Sequence, residues 1–128
     1  MLVLALAACG PGSQYALHMA FNQRDGVLPA DAHLGLQQWA ALSAASLAAL
    51  FTALLASVRR EAFLAPGLTA AAAVLAWGTT CLAYPESAGA IGSTWGWLAV
   101  SWAAAFALAT LDQGRVVRLQ RLSENACR

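Results

Sequence analysis

The chain has 128 residues, of which 60% are hydrophobic and only 10% charged, against roughly 25% charged in ordinary soluble domains. So few charges could not cover a soluble globule, and so apolar a chain is not a disordered one. Seven arginines, no lysine and six acids leave a net charge of +1, so no basic field for nucleic acid exists. These bounds point to an integral membrane protein.

A bilayer core needs about 20 mostly apolar residues per helix. Residues 1–21 are apolar but interrupted by Gly10-Pro11-Gly12-Ser13-Gln14, which predicts a short, irregular first span. A competing reading of the same residues is Leu6-Ala7-Ala8-Cys9-Gly10, which has the pattern of a bacterial lipobox with Cys9 as the lipidated residue. The apolar stretch before Cys9 is very short for a signal peptide, and no Lys or Arg precedes it. The second span, 36–58, holds no charged residue and stops at Arg59-Arg60-Glu61. The third, 63–84, opens near Pro66 and closes at Pro85. Proline is tolerated in a first turn and stops a helix beyond its end. The fourth, 91–111, ends at Asp112-Gln113-Gly114.

The predicted fold is therefore all-α, a transmembrane bundle of four helices forming one domain. Charge orients it. With four spans, Arg59, Arg60, Arg115, Arg118, Arg121 and Arg128 share a side, and only Arg24 lies on the other. The positive-inside rule then puts both termini on the cytoplasmic or matrix side. The expected location is a bacterial inner membrane or an organellar inner membrane.

In the tail, 112–128, arginines recur every third residue, with Val116, Leu119 and Leu122 on a neighbouring stripe. Such a segment either lies in the headgroups as an amphipathic helix or simply continues and anchors the fourth span. In both cases Arg115, Arg118 and Arg121 contact lipid or a partner.

Between helices in lipid, small residues permit the close approach that drives association. The second span carries two adjacent ladders, Ala40-Ala44-Ala48-Thr52-Ala56 and Ala41-Ala45-Ala49-Ala53-Ser57. They predict a smooth strip by which this helix meets its neighbours. Ala72, Ala76 and Thr80 line the third span, and Ser101, Ala105 and Ala109 the fourth. Trp39, Trp95, Trp97 and Tyr84 fall near span ends, where amphipathic rings form an interfacial belt. Trp77 and Trp102 fall deeper and are the candidates for touching a ligand or partner subunit.

No span has an ionisable residue at its centre, which argues against a pump or coupled transporter. Cys9, Cys81 and Cys127 form neither a metal spacing nor a disulfide framework. One polar cluster stands out at the outer ends of the first two spans: Tyr15, His18, Asn22, Arg24, Asp25, Asp31, His33, Gln37 and Gln38. His18 and Asn22 share a helix face, as do His33 and Gln37. Two facing histidines could bind a metal, shuttle protons or hydrogen-bond a quinone carbonyl; interfacial residues satisfied by water and headgroups would look the same.

The run His18-Met19-Ala20-Phe21-Asn22, then Pro29-Ala30-Asp31-Ala32-His33 and Gln37 leading a span, resembles small DoxX-like four-helix membrane proteins over residues 15–60. That resemblance implies a four-helix bundle linked to quinone-dependent oxidation, with His33 as a functional position. Two functions are thus expected. One is a non-catalytic accessory subunit packed against a larger respiratory or photosynthetic complex, on the strength of small size, alanine faces and the missing catalytic set. The other is a DoxX-like oxidoreductase or quinone-binding component using the two histidines.

Overall fold

The computed structural model describes residues 1–25, 38–58, 63–86, 90 and 92–126. It is all-helical, with α1 (Leu2–Arg24), α2 (Gln38–Val58), α3 (Leu64–Ala83) and α4 (Ser93–Ala126). Each helix lies beside the next in sequence, most extensively in the α1–α2 and α3–α4 pairs, and α4 returns to touch α1. Three helices are long and apolar enough to cross a membrane, namely Ala40–Val58 of α2, Leu64–Ala83 and Ser93–Gln120 of α4. This agrees with an integral membrane protein. α1 is long enough, but its glycines and polar residues keep it outside that group.

α2 is built of alanine and leucine without glycine or proline, the residues that lose least on entering a helix. In α3, Pro66 occupies the third position, where a missing N–H leaves nothing unpaired. The Gly67 N–H closes the first turn onto the Phe63 carbonyl at 2.9 Å. Tyr84 ends the helix, and Pro85 follows it.

α1 differs from the sequence expectation. It is one continuous helix of 23 residues with Pro11 inside it, where the Gly-Pro-Gly-Ser-Gln run predicts a break. The reason lies in packing. Gly12 faces α2 so closely that a methyl group there would come within 2.8 Å of Leu50 Cδ1. The glycine that weakens the isolated helix is what lets α2 press against it, and burial of Ala5, Tyr15, Ala16 and Met19 offsets the proline. The Ser13 hydroxyl turns back onto the Gly10 carbonyl at 3.0 Å, so its polarity stays within the helix.

α3 and α4 run antiparallel along glycine contacts. Leu64 lies opposite Gly114, Gly67 opposite Thr110, Gly78 opposite Ala99, and Leu82 opposite Gly96. At Gly78 an added methyl would meet the Gly96 carbonyl oxygen at 3.1 Å, and at Gly67 it would meet Thr110 Cγ2 at 2.7 Å. Met1 Cε also reaches Gly67, so the start of α1, the start of α3 and the Thr110 turn of α4 converge at one end of the bundle. There the main core gathers Ala5, Ala53, Ala70, Ala71 and Phe106, with Met1, Leu4, Leu54 and Trp102 packed around it.

α4 is also longer than its apolar span. It continues without interruption through Gly114 to Ala126, 34 residues in all, so the tail extends the fourth helix and is not a separate segment. No packing contact demands glycine at 114, since a methyl there would sit an ordinary 3.7 Å from Leu64.

Candidate functional site

At the far end of α1 the helix presents two faces. Tyr15 and Met19 turn inward, forming a second small core with Leu42 and Trp77. His18 turns outward and is exposed, with Asn22 half-buried beside it. Asn22 Nδ2 and His18 Nε2 lie within hydrogen-bond reach of each other, 3.4 Å apart. Arg24 closes the helix by an ion pair to Asp25 at 3.1 Å, its guanidinium lying over the Phe21 ring. His33 and Gln37, the expected second half of this cluster, lie outside the described residues, as do Asp31 and the side chain of Gln38. Among the described residues no three of His, Cys, Asp and Glu come together to hold a metal ion.

Both deep tryptophans are turned to partners inside the chain. Trp102 donates its indole N–H to the Leu4 carbonyl of α1 at 2.8 Å and stacks on Phe106, centroids 4.8 Å apart. That bond joins α4 to α1 through a side chain. Trp77 meets Tyr15 edge-to-face at 5.1 Å, and its Nε1 is buried without a hydrogen-bond partner of good geometry. Cys81 is buried nearby along α3, one turn on. Trp95, Trp97 and Tyr84 are exposed near helix ends, and the side chain of Trp39 lies outside the described residues.

The alanine ladders of α2 lie differently from the expected strip. Only Ala53 and Ala56 are buried in the bundle, whereas Ala41, Ala44, Ala45 and Ala48 are exposed. One ladder cannot serve its whole length because α1 covers just one side of α2 and meets it through Leu42 and Leu50. The smooth part of α2 therefore faces outward over its first half, and Phe51, Leu55 and Val58 make the second half bulky.

α3 carries a longer face of the same kind. Thr69, Ala72, Ala73, Ala76, Thr79 and Thr80 are all exposed. Ala72, Ala76 and Thr80 are visible as a row in the sequence; the flanking Thr69, Ala73 and Thr79 complete it and were signalled only by the same helical spacing. The threonine hydroxyls are silenced by their own helix. Thr69 donates to the Ala65 carbonyl at 2.9 Å, and Thr79 and Thr80 to that of Ala76 at 2.9 and 2.8 Å. This face thus offers an apolar partner no unsatisfied group.

At the opposite end from His18, Arg115 and Arg118 of α4 are exposed, while the side chain of Arg121 lies outside the described residues. Among the described residues these two guanidinium groups make no ion pair and no hydrogen bond.

No family model matches the chain, and no curated protein or solved structure matches it.

Proposed function

We propose that this protein is an accessory subunit, without catalytic groups of its own, that packs within a bacterial or organellar inner membrane against a larger electron-transport-type complex. The observation that carries this reading is the exposed small-residue face of α3 from Thr69 to Thr80, about 16 Å long at the helical rise of about 1.5 Å per residue. Lipid tails make no use of a smooth face, whereas a neighbouring transmembrane helix gains close backbone approach along it. The exposed alanines at 41, 44, 45 and 48 of α2 extend the same character to a second helix. By the positive-inside rule the end bearing Met1 and Arg115 faces the cytoplasm or matrix, with α1 as a fourth span.

The test is purification on a C-terminal tag in mild detergent, with mass spectrometry and an absorption spectrum of the eluate. Stoichiometric membrane partners are expected, and Ala76→Trp should release them while the isolated chain stays folded. A lone, colourless species, or partners that survive Ala76→Trp and an equivalent Ala45→Trp, would overturn the reading.

A second reading rests on the His18–Asn22 pair at 3.4 Å on the outer end of α1. It makes the chain a DoxX-like component that hydrogen-bonds a quinone carbonyl through His18, with His33 and Gln37 joining from the connection. Quinone binding that disappears in a His18→Ala, His33→Ala double variant would favour it; binding unchanged in that variant would remove its chemical basis.

A further inference from the structure

The two ends of the bundle treat their arginines differently. Arg24 is neutralised where it stands, by Asp25 at 3.1 Å and by the Phe21 ring beneath it. Arg115 and Arg118 have no such partner among the described residues, although Asp112 lies on the same helix one turn before Arg115. Their height is fixed by the fold. α3 begins at Leu64, which lies against Gly114, and among the described residues α4 continues past that level to Ala126. At about 1.5 Å per residue, Arg115 and Arg118 stand roughly 1.5 and 6 Å beyond Gly114. The headgroup layer on each side of the hydrocarbon core is about 5–7 Å deep. With the hydrocarbon core ending where α3 begins, both guanidinium groups reach phosphate height, exposed and without a charged partner among the described residues. They are flanked by Val116 and Leu119, which are 49% and 66% exposed.

We infer that Arg115 and Arg118 form a binding site for anionic phospholipid headgroups at the α4 end of the bundle. The two side chains project about 60° apart around the helix, since three residues advance it by about 300°. One phosphate between them, or one on each, would receive charge-assisted hydrogen bonds. Val116 and Leu119 would then rest against the upper part of the acyl chains instead of standing in water. The inference is independent of the accessory-subunit reading, because it uses a different helix end and a different chemistry.

The experiment is native mass spectrometry of the full chain in detergent micelles doped equally with phosphatidylglycerol and phosphatidylcholine. The wild-type chain should retain phosphatidylglycerol in preference, and raised salt should weaken that preference. At about fivefold per arginine near an anionic surface, Arg115→Gln with Arg118→Gln should reduce it by about tenfold or more. Arg24→Gln should leave it unchanged, and the pair Arg115→Lys with Arg118→Lys should keep most of it. Equal retention of the two lipids by the wild-type chain would overturn the site, as would an unchanged preference in the double glutamine variant. If that variant does not fold, a wild-type preference insensitive to salt overturns it equally. An acidic protein held through these arginines, with no lipid preference, would reassign the surface and refute the inference.

Discussion

The crossing of α3 and α4 at Gly67 permits a sharp test of how this bundle is held. In Gly67→Ala the new methyl would lie 2.7 Å from Thr110 Cγ2 and 3.0 Å from its Oγ1. Thr110 cannot swing away: it is fully buried, β-branched, and its hydroxyl donates to the Phe106 carbonyl at 2.7 Å. Overpacking of this kind costs about 1–3 kcal/mol, and alanine's better helix preference returns at most about 1 kcal/mol. Gly67→Ala should therefore destabilise by about 1–2 kcal/mol. Thr110→Ala alone removes two buried atoms and should cost on the order of 1 kcal/mol. Combined, the second change makes room for the first, so the double variant should fall short of additivity by about 1–2 kcal/mol. Reversible unfolding in mixed micelles, following helical circular dichroism, measures all four corners of the cycle. A neutral or stabilising Gly67→Ala, or strict additivity in the pair, would refute the close crossing.

Gly78→Ala should also destabilise by the same assay, since its methyl would press on the Gly96 carbonyl oxygen at 3.1 Å and the Ala99 methyl at 3.0 Å, neither of which can rotate aside. At Gly10 nothing apart from the chain neighbours lies within 4 Å, but the ring of Pro11 crowds a Cβ on the residue before it in the α region, so Gly10→Ala should bring none of the usual gain of about 0.5–1 kcal/mol. Trp102→Phe keeps the stack on Phe106 but deletes the 2.8 Å bond to Leu4 and should cost about 0.5–1.5 kcal/mol. Replacing residues 1–8 by an unrelated helical sequence should lose at least as much, and an undiminished unfolding midpoint would contradict the role of Leu4 and Ala5 in the core.

Which stretches become helices was legible because length and apolarity decide that locally. Residues 38–58 and 64–83 fall within the segments that their charges and prolines delimit. What each residue faces was not legible. Gly12 reads as a breaker in isolation and acts as a contact surface once Leu50 is opposite it. Helical spacing puts Ala41, Ala45, Ala49 and Ala53 in one row, but cannot say that α1 covers only the second half of it. In water a polar stripe would mark the outside; here both sides are apolar and the marker is missing. Gly114 likewise reads as a stop, yet α4 passes through it, because a glycine with no cap partner merely weakens a helix by about 1 kcal/mol. Of the candidate site, the His18–Asn22 pairing follows from four-residue spacing, whereas the partners of Trp77 and Trp102 depend on the tertiary arrangement.

The way the bundle uses its residues bears on its proposed role. Its internal cohesion is concentrated in a few specific features: Gly12 against Leu50, Gly67 against Thr110, Gly78 against Gly96, and Trp102 bonded to Leu4. Trp77 and Trp102 pack against Tyr15 and Phe106 within the chain, each remaining partly exposed. Small residues, by contrast, are left over, on α3 from Thr69 to Thr80 and on the first half of α2. A helix needing only solubility in lipid would be served as well by leucine at these positions, and leucine does occupy other exposed ones, at 47, 55, 68 and 75. In the proposed reading these outward faces of two textures meet two neighbours: acyl chains over the leucines, and another transmembrane segment over the alanines and threonines. Substituting leucine along the α3 face separates these alternatives. A face that meets lipid will accept Ala72→Leu and Ala76→Leu with no change in what co-purifies, and a face that meets a helix will lose its partner.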